Sequence, residues 1–238
     1  MKNVFKSLML VAVAAMAFTA CQKDNNEVNK AEQKTVITGV ATIENDDTRS
    51  GFVGSTTEDG KTMYHSEWDG GENLKVFINY GEGEATTTID KDGNFTFTYD
   101  GDAYIITVCS PAEAWLSEYT CSIPSEQTPR ANSVDPAAHI LKAQAVAVTD
   151  GVAECKMQHE VSYGKMTVNT PADFEIAKVV VNLVGDWYGY ARNLTYTLNA
   201  TNVENNTFYF ATETINVSEF TITAYDANEN AYSKTVTL

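Results

Sequence analysis

The strongest constraint on the fold of this chain is a recurring alternation of apolar and polar residues. Alternating runs lie at residues 74–80, 95–99, 194–198 and 220–224. A period of two buries one face of a strand and leaves the other face in water. Asp92-Gly93, Asp100-Gly101 and Asp150-Gly151 each suit a hairpin turn that needs a positive φ. The sequence therefore predicts an all-β fold class, with two antiparallel β-sandwich domains in tandem.

Helices are expected only as short helical turns in connections between strands. Ser110-Pro111-Ala112-Glu113 has the order of a capping box with proline in the first turn, and Asp135-Pro136 suits a second turn. The composition changes near Thr170-Pro171. That change predicts an N-terminal β-sandwich domain at 35–170 and a C-terminal β-sandwich domain at 171–238.

The N-terminal segment has the order of a secretory signal. A basic start precedes an apolar run at 8–17, and the small residues Thr19 and Ala20 stand directly before Cys21. The apolar run is too short to span a bilayer stably, so residues 1–20 are predicted to be a signal peptide. Cysteine after Thr-Ala resembles a bacterial lipobox, which implies acylation of Cys21. The alternative is an ordinary signal peptide that contains a cysteine.

Two or three acyl chains on Cys21 would make a stable membrane anchor, because each buried CH2 contributes about 0.8 kcal/mol and one chain alone is marginal. Residues 21–34 are polar and without periodicity, which indicates a flexible tether. Without residues 1–20 the chain has 14 basic and 32 acidic residues, a net charge of about −18. Nucleic acid is therefore not expected as a partner, since phosphate neutralisation needs clustered Lys and Arg.

Three cysteines remain after Cys21, namely Cys109, Cys121 and Cys155. Cys109 and Cys121 flank a short segment, and a disulfide between them would add roughly 3 kcal/mol of stability if the geometry fits. The alternative is that all three are small apolar core residues. No Cys/His spacing matches a zinc site, so we expect no metal and no cofactor.

The sequence contains no motif that indicates an enzyme. His65, His139 and His159 lie outside known catalytic contexts. The Asp90–Asn94 segment has a faint likeness to a calcium loop but lacks the bidentate Glu at the twelfth position, and a hairpin turn explains it better. Trp187, Tyr188 and Tyr190 would suit a platform for sugar rings, or they cap a core at a strand end.

Several local motifs follow one another along residues 49–168. They are Arg49-Ser50 with Phe52; Trp68, Gly71, Glu72, Leu74, Val76 and Phe77; Ile123, Pro124, Gln127 and Thr128; Asp135, Pro136, Ile140, Leu141 and Ala143; and Met157 with His159. In their order and spacing, these motifs together resemble the fimbrillin family of lipoprotein-derived pilins and accessory fimbrial subunits of Bacteroidales. Glu72 and Met157 stand where the family often has Asp and Phe.

The resemblance implies assembly by strand exchange. In these pilins a protease cuts after an arginine behind the first strand, that strand leaves, and a strand of another subunit replaces it. Residues 35–43 (TVITGVATI) suit such a first strand, with Val36 and Val40 on one face and Ile37 and Ile43 on the other. Loss of three or four buried side chains at ~1.5–3 kcal/mol each would remove roughly 5–12 kcal/mol, comparable with the whole stability of a domain.

Arg49 is the arginine between that strand and the Trp68 motif, so cleavage is expected between Arg49 and Ser50. The alternative is a solvated turn residue in an uncleaved anchor subunit. Gln22-Lys23-Asp24 resembles the signal that sends lipoproteins of these bacteria to the cell surface, although it also suits a solvated linker.

The sequence thus predicts a structural subunit of a cell-surface fimbria that supports adhesion, with stalk, tip and anchor roles open. Its predicted partners are other fimbrial subunits, bound by strand addition, and the outer membrane, bound through the lipid anchor. Its predicted place is the outer surface of the outer membrane, and the fimbrium after assembly. The alternative is a surface-exposed glycan-binding lipoprotein with contacts from Trp187, Tyr188 and Tyr190.

Overall fold

The computed structural model describes residues 34–43, 55–58, 61–64, 67–131 and 133–238, with only the backbone of 55–58 and 61–64. These residues form 18 strands and two short 3-10 turns, Ala112–Ala114 and Pro136–Ala138. The predicted all-β class and the two predicted helical turns are confirmed. At the second turn, Asp135 Oδ1 accepts a hydrogen bond of 2.9 Å from the amide of Ala137, because proline at the next position leaves that amide as the first free donor.

The largest sheet has seven strands in the order β5-β4-β7-β11-β12-β1-β6. In chain order they are β1 (Lys34–Ile43), β4 (Asn73–Ile78), β5 (Gly83–Thr88), β6 (Asn94–Asp100), β7 (Ile105–Ser110), β11 (Leu141–Ala147) and β12 (Val152–His159). The two end strands, β5 and β6, are consecutive in the chain and meet at a bridge between Ile89 and Phe95. The sheet therefore curls round its own core.

A second sheet has five strands in the order β10-β15-β14-β17-β18. They are β10 (Glu126–Gln127), β14 (Lys178–Trp187), β15 (Tyr190–Asn199), β17 (Asn216–Tyr225) and β18 (Ala231–Thr237). Three two-stranded sheets complete the structure: β2 (Ser55–Glu58) with β3 (Lys61–Tyr64), β8 (Trp115–Ser117) with β9 (Thr120–Cys121), and β13 (Ser162–Thr167) with β16 (Thr207–Thr212). Most pairs are antiparallel, but β1 with β12 and β10 with β15 are parallel.

The core follows from the alternating patterns. Leu74, Val76 and Ile78 of β4 are fully buried in the cluster enclosed by the seven-stranded sheet. Phe77 points to the opposite face of β4, where it packs with Trp115 and Ile140 in a further cluster. Because both of its faces are covered, β4 carries a continuous apolar run at its C-terminal half. A third cluster, which includes Val179, Leu198 and Phe208, lies on the five-stranded sheet.

Two of the three predicted hairpin turns are confirmed. Gly93 (φ 82°) ends the turn before β6, and Gly151 (φ 75°) ends the turn between β11 and β12. The prediction for Asp100-Gly101 is wrong, since β6 pairs with β1 whereas β7 pairs with β4 and β11. Asn79 is the physical reason: its amide nitrogen donates to the carbonyl of Asp102 (2.8 Å), which holds the connection beside the end of β4.

The division into tandem domains at residues 170/171 stays a prediction. Strand pairs run across that point in the chain. Residues 162–167 form the β13 side of the β13–β16 pair, and Gln127 of β10 pairs with Leu198 of β15. The two predicted regions therefore share hydrogen-bonded strands.

Candidate functional site

The first strand, β1, lies between β6 and β12, and its hydrogen bonds define a slot in the seven-stranded sheet. Residues 34–40 pair antiparallel with β6, from Lys34 with Asp100 to Val40 with Asn94. Residues 38–43 pair parallel with β12, from Thr38 with Val152 to Ile43 with Met157. Removing β1 would therefore leave unpaired backbone donors and acceptors on two strands at once.

On the inward face of β1, the side chains are small in the middle of the strand and larger on either side. Ile37, Gly39 and Ala41 are buried, and Ile43 is half-buried against the same core. Val36 and Val40 lie on the other face, as the sequence predicted, and that face is exposed. Three side chains of β1 thus pack in the core, but the expected energy of about 1.5–3 kcal/mol for each is too high, because one of them is Ala41 and Ile43 is only half-buried. Burial of Ile37, Ala41 and part of Ile43 contributes about 3–5 kcal/mol.

Trp68 and Gly93 hold the C-terminal end of β1. The indole Nε1 of Trp68 donates a hydrogen bond of 2.8 Å to the carbonyl of Ala41. The amide of Ala41 donates to the carbonyl of Gly93, also at 2.8 Å. A Cβ on Gly93 would overlap the carbonyl oxygen of Ala41. The glycine thus serves two needs, a left-handed φ and a close approach to β1.

The turn that carries Trp68 is shaped by its own polar groups. Glu72 Oε1 accepts a hydrogen bond of 2.7 Å from the amide of Asp69, which closes the turn through Gly70 and Gly71. Both glycines have positive φ, 86° and 96°. The other carboxylate oxygen of Glu72, Oε2, is buried and has no hydrogen-bond partner among the residues that the structure describes. The Trp68-x-x-Gly71-Glu72 motif therefore positions the indole that binds β1.

Gln127 joins the connection after β9 to strand β16. Its Nε2 donates to the carbonyls of Pro124 (3.1 Å) and Ala211 (2.8 Å), and its Oε1 accepts from the amide of Ala211 (2.9 Å). The residue is 1% exposed. The side-chain amide of Gln127 therefore bonds both the carbonyl and the amide of Ala211, as the backbone of a paired strand would. The Ile123-Pro124-x-x-Gln127 motif is thus a structural clamp between distant segments.

A cleft of about 940 Å³ opens between the Trp68 turn, Pro111, Glu113 and the segment around Arg130. Arg130 forms an ion pair of 3.2 Å with Asp69 across this region. Both partners are exposed, so the pair adds little stability. In the described part of the chain, no three His, Cys, Asp or Glu side chains are placed to hold a metal ion. The Asp90 carboxylate accepts from the amides of Asp92 and Asn94, in the hairpin turn that the sequence indicated.

A cluster of two histidines and a tyrosine lies beside the large sheet. The rings of His139 and His159 are 5.3 Å apart, and Nδ1 of His159 lies 2.9 Å from the hydroxyl of Tyr163. Burial, and to a smaller extent the charge of His159, lowers the pKa of His139 to about 3. Burial also lowers the pKa of His159. Both rings are therefore neutral at pH 7.

The three body cysteines are free thiols in the structure. Cys109 is buried and Cys121 packs against the same cluster. Burial raises the pKa of the Cys109 and Cys121 thiols, and that of Cys155 to about 12. Cys109 and Cys155 therefore behave as apolar core residues, and Cys121 is partly buried. The Cys109–Cys121 disulfide is not formed here and stays a prediction for the oxidised protein.

The predicted aromatic platform lies at the tip of the β14–β15 hairpin. Trp187 pairs with Tyr190 across a two-residue turn, Tyr188 (φ 48°) and Gly189 (φ 82°). Trp187, Tyr188 and Tyr190 are 48%, 84% and 70% exposed. The Trp187 and Tyr188 rings are 5.0 Å apart at nearly a right angle, and the guanidinium of Arg192 lies 5.9 Å from the Trp187 ring. The three aromatics therefore point into solvent rather than cap a core.

Cys21, Arg49 and Ser50 lie outside the described residues, so acylation and cleavage stay predictions. Within the described ranges, no helix is long and apolar enough to cross a membrane.

No protein-family model matches the chain, and no curated protein matches its sequence. Among solved structures it is similar to a candidate adhesin from Bacteroides ovatus ATCC 8483, with 10% identity over 93% of this chain and 88% of the other and a TM-score of 0.40. Two DUF3823 family proteins are more distant. That of Bacteroides ovatus ATCC 8483 has 13% identity, coverage of 86% and 99%, and a TM-score of 0.24. That of Parabacteroides merdae ATCC 43184 has 10% identity, coverage of 86% and 98%, and a TM-score of 0.22.

At these identities and TM-scores the likenesses carry no argument about function. The fimbrillin resemblance remains one of local sequence motifs. What the structure adds is where those motifs lie, with Trp68 at β1 and Gln127 at β16.

The sequence did not predict two contacts of β1, that of Trp68 with Ala41 and that of Gly39 with the Phe95 ring. Both join segments far apart in the chain, which no local pattern reports. A glycine in the middle of an alternating strand was a usable signal for the second contact, because such a residue often marks close approach of another group.

Proposed function

We propose that this protein is a structural subunit of a cell-surface fimbria, exported as a lipoprotein and assembled by strand exchange after removal of β1, in support of adhesion. The observation that carries the proposal is the position of β1. It is the first described strand of the chain, yet it is an inner strand of the seven-stranded sheet. Strand addition supplies backbone hydrogen bonds for affinity and core pockets for specificity.

The energetics favour replacement over permanent opening. The side chains of β1 contribute about 3–5 kcal/mol of burial, and its exit also uncovers Phe95, Phe97 and Met157 beside it. Native domains have only about 5–15 kcal/mol of total stability. An opened subunit therefore gains most of its stability back only when another strand enters the slot.

The sequence supplies the remaining steps of the proposal. Cys21 carries the lipid, residues 22–33 form the tether on the cell surface, and cleavage between Arg49 and Ser50 separates β1, which begins at Lys34, from the body. The role is structural and non-catalytic. Its partners are other fimbrial subunits and, before cleavage, the outer membrane.

The experiment is replacement of the proposed cleavage site in cells that make the fimbria. Arg49→Ala should stop the chain from entering filament ladders that resist mild denaturant, and the uncut chain should accumulate with the membranes. Arg130→Ala is the matched control, since Arg130 is an exposed arginine whose ion pair adds little stability. Normal ladders with Arg49→Ala would contradict the proposal.

A second candidate function is glycan binding at the β14–β15 tip. Exposure of Trp187, Tyr188 and Tyr190 favours it, because aromatic faces in solvent suit stacking on sugar rings. Under this function the purified protein binds polysaccharides and Trp187→Ala abolishes binding without loss of folding. Tyr104→Ala removes an equally exposed aromatic elsewhere and should leave binding unchanged. Equal binding by the Trp187→Ala variant would reject the aromatic tip as the site.

A further inference from the structure

The ring of Phe95 lies directly over the Cα of Gly39 in the slot. A Cβ at Gly39 would overlap three atoms at the tip of that ring. Phe95 is 3% exposed, and its ring stacks on Phe97 with centroids 6.5 Å apart. Because protein cores are close-packed, a buried ring in this position has little room to turn away from an added side chain. The φ of Gly39 is not left-handed, so only the ring, and not the backbone, requires glycine here.

The other inward positions have different sizes. Ile37 is 0% exposed and lies opposite Phe97, and Ala41 is 1% exposed and lies opposite Cys155. Ile43 lies opposite Met157 and is half-buried. On the outward face, Val36 and Val40 are 56% and 39% exposed. The slot is thus selective on one face of the strand only.

We propose that the slot selects its incoming strand by this size pattern, a large aliphatic residue, glycine, alanine and a second aliphatic residue at alternate positions. The inference rests on the proposed strand exchange and names the partner's chemistry, an extended segment of a neighbouring subunit with the spacing Ile-x-Gly-x-Ala-x-Ile. Within residues 1–238, the Gly-x-Ala sequence is flanked at this spacing by Ile, Val or Leu on both sides only at residues 37–43. A second copy of this chain could meet the pattern only with its own β1.

The first test measures the size filter in the full chain by a double-mutant cycle. Gly39→Ala should lower the folding equilibrium constant about tenfold to a hundredfold, as overpacking of a core does. Phe95→Leu should remove most of the effect of Gly39→Ala, which gives a coupling of at least about tenfold. Val40→Ala is the control on the outward face and should show no coupling to Phe95→Leu. Additive effects of Gly39→Ala and Phe95→Leu would overturn the size filter.

The second test measures selection of an incoming strand. The full chain with Ile37→Asp, which weakens its own β1, is mixed with labelled peptide TVITGVATI and binding is followed by fluorescence anisotropy. The peptide and its Val40→Ala version should bind, and the Gly39→Val version should bind at least tenfold more weakly. Phe95→Leu in the protein should reduce the difference in affinity between the native and Gly39→Val peptides.

The outcomes of the two tests separate the claims. Equal binding of the native and Gly39→Val peptides overturns the proposed selectivity. Coupling in the cycle with no peptide bound overturns strand exchange, and with it selection of a partner, while Gly39 and Phe95 still govern docking of the chain's own β1.

Discussion

The indole nitrogen of Trp68 donates a hydrogen bond of 2.8 Å to the carbonyl of Ala41. This bond joins the turn after the proposed cleavage site to the strand before it. If the chain is cut after Arg49, the same turn remains in the body and its indole is available to the strand that follows β1. Trp68 is therefore placed to hold either strand.

We expect Trp68→Phe to lower the free energy of unfolding by about 1–2 kcal/mol, because the carbonyl of Ala41 loses its partner and the smaller ring packs less well against the core. Urea unfolding measures the change. Trp187→Phe is the matched control, since Trp187 is 48% exposed at a hairpin tip and should alter stability by less than about 0.5 kcal/mol. Equal effects of the two substitutions would contradict the role assigned to Trp68.

Comparison of Gly93 with Gly189 distinguishes the need for a left-handed φ from the need for a close backbone contact. Both have φ of 82°, so alanine at either position pays about 1 kcal/mol or more for the left-handed backbone. Only at Gly93 would the new Cβ also overlap the carbonyl of Ala41, whereas Gly189 has open space. Gly93→Ala should therefore destabilise the protein by at least about 1 kcal/mol more than Gly189→Ala. Thermal unfolding of the pair tests this, and equal shifts in Tm would disprove the close contact.

Gln127→Leu should lower the free energy of unfolding by about 2–4 kcal/mol. It leaves the amide and carbonyl of Ala211 and the carbonyl of Pro124 without their partners in a buried place. The neighbouring exposed residue offers the control, Glu126→Leu, with an expected change below about 0.5 kcal/mol. A loss under about 1 kcal/mol for Gln127→Leu would show that the clamp is dispensable.

Acid should destabilise the protein through His139. Its folded pKa is lowered from 6.5 to about 3. The unfolded chain therefore binds a proton that the folded protein does not, and stability falls as the pH drops from about 7 towards 3. By pH 5 the loss from this residue is about 2 kcal/mol.

The pH measurement compares urea unfolding of the native protein and of His139→Gln between pH 7 and 5. The variant should lose less stability over this window, because one group that protonates on unfolding is absent. The pKa values of the carboxylates Asp90 and Asp226 are lowered, so their protonation affects stability only below pH 5. Parallel pH profiles for the two proteins would contradict the assignment to His139.

The sequence predicted β1 as a strand with Ile37 and Val36 on opposite faces, because alternation is a local property of the chain. It did not predict the neighbours of β1. The pairing partner Val152 is more than a hundred residues away from Thr38, and such contacts depend on the global packing of sheets. The same limit explains the wrong hairpin at Asp100-Gly101, where Asn79 holds the connection against a different strand.

The aromatic hairpin tip and the β1 slot also differ in how far local sequence determines them. Exposure of Trp187, Tyr188 and Tyr190 follows from a local turn with Gly189 at a left-handed φ, and the sequence identified the cluster. The size of the β1 slot depends on Phe95, which lies on another strand. The sequence estimate of the energy of β1 was too high, because Val36 and Val40 are exposed and two inward positions are Gly39 and Ala41.

The central claim is that β1 leaves the body when the subunit assembles. N-terminal sequencing and intact-mass analysis of the chain recovered from washed surface filaments test it most directly. We expect a chain that begins at Ser50, with Cys21, the tether and β1 all missing. A chain in assembled filaments that still begins at an acylated Cys21 would contradict it.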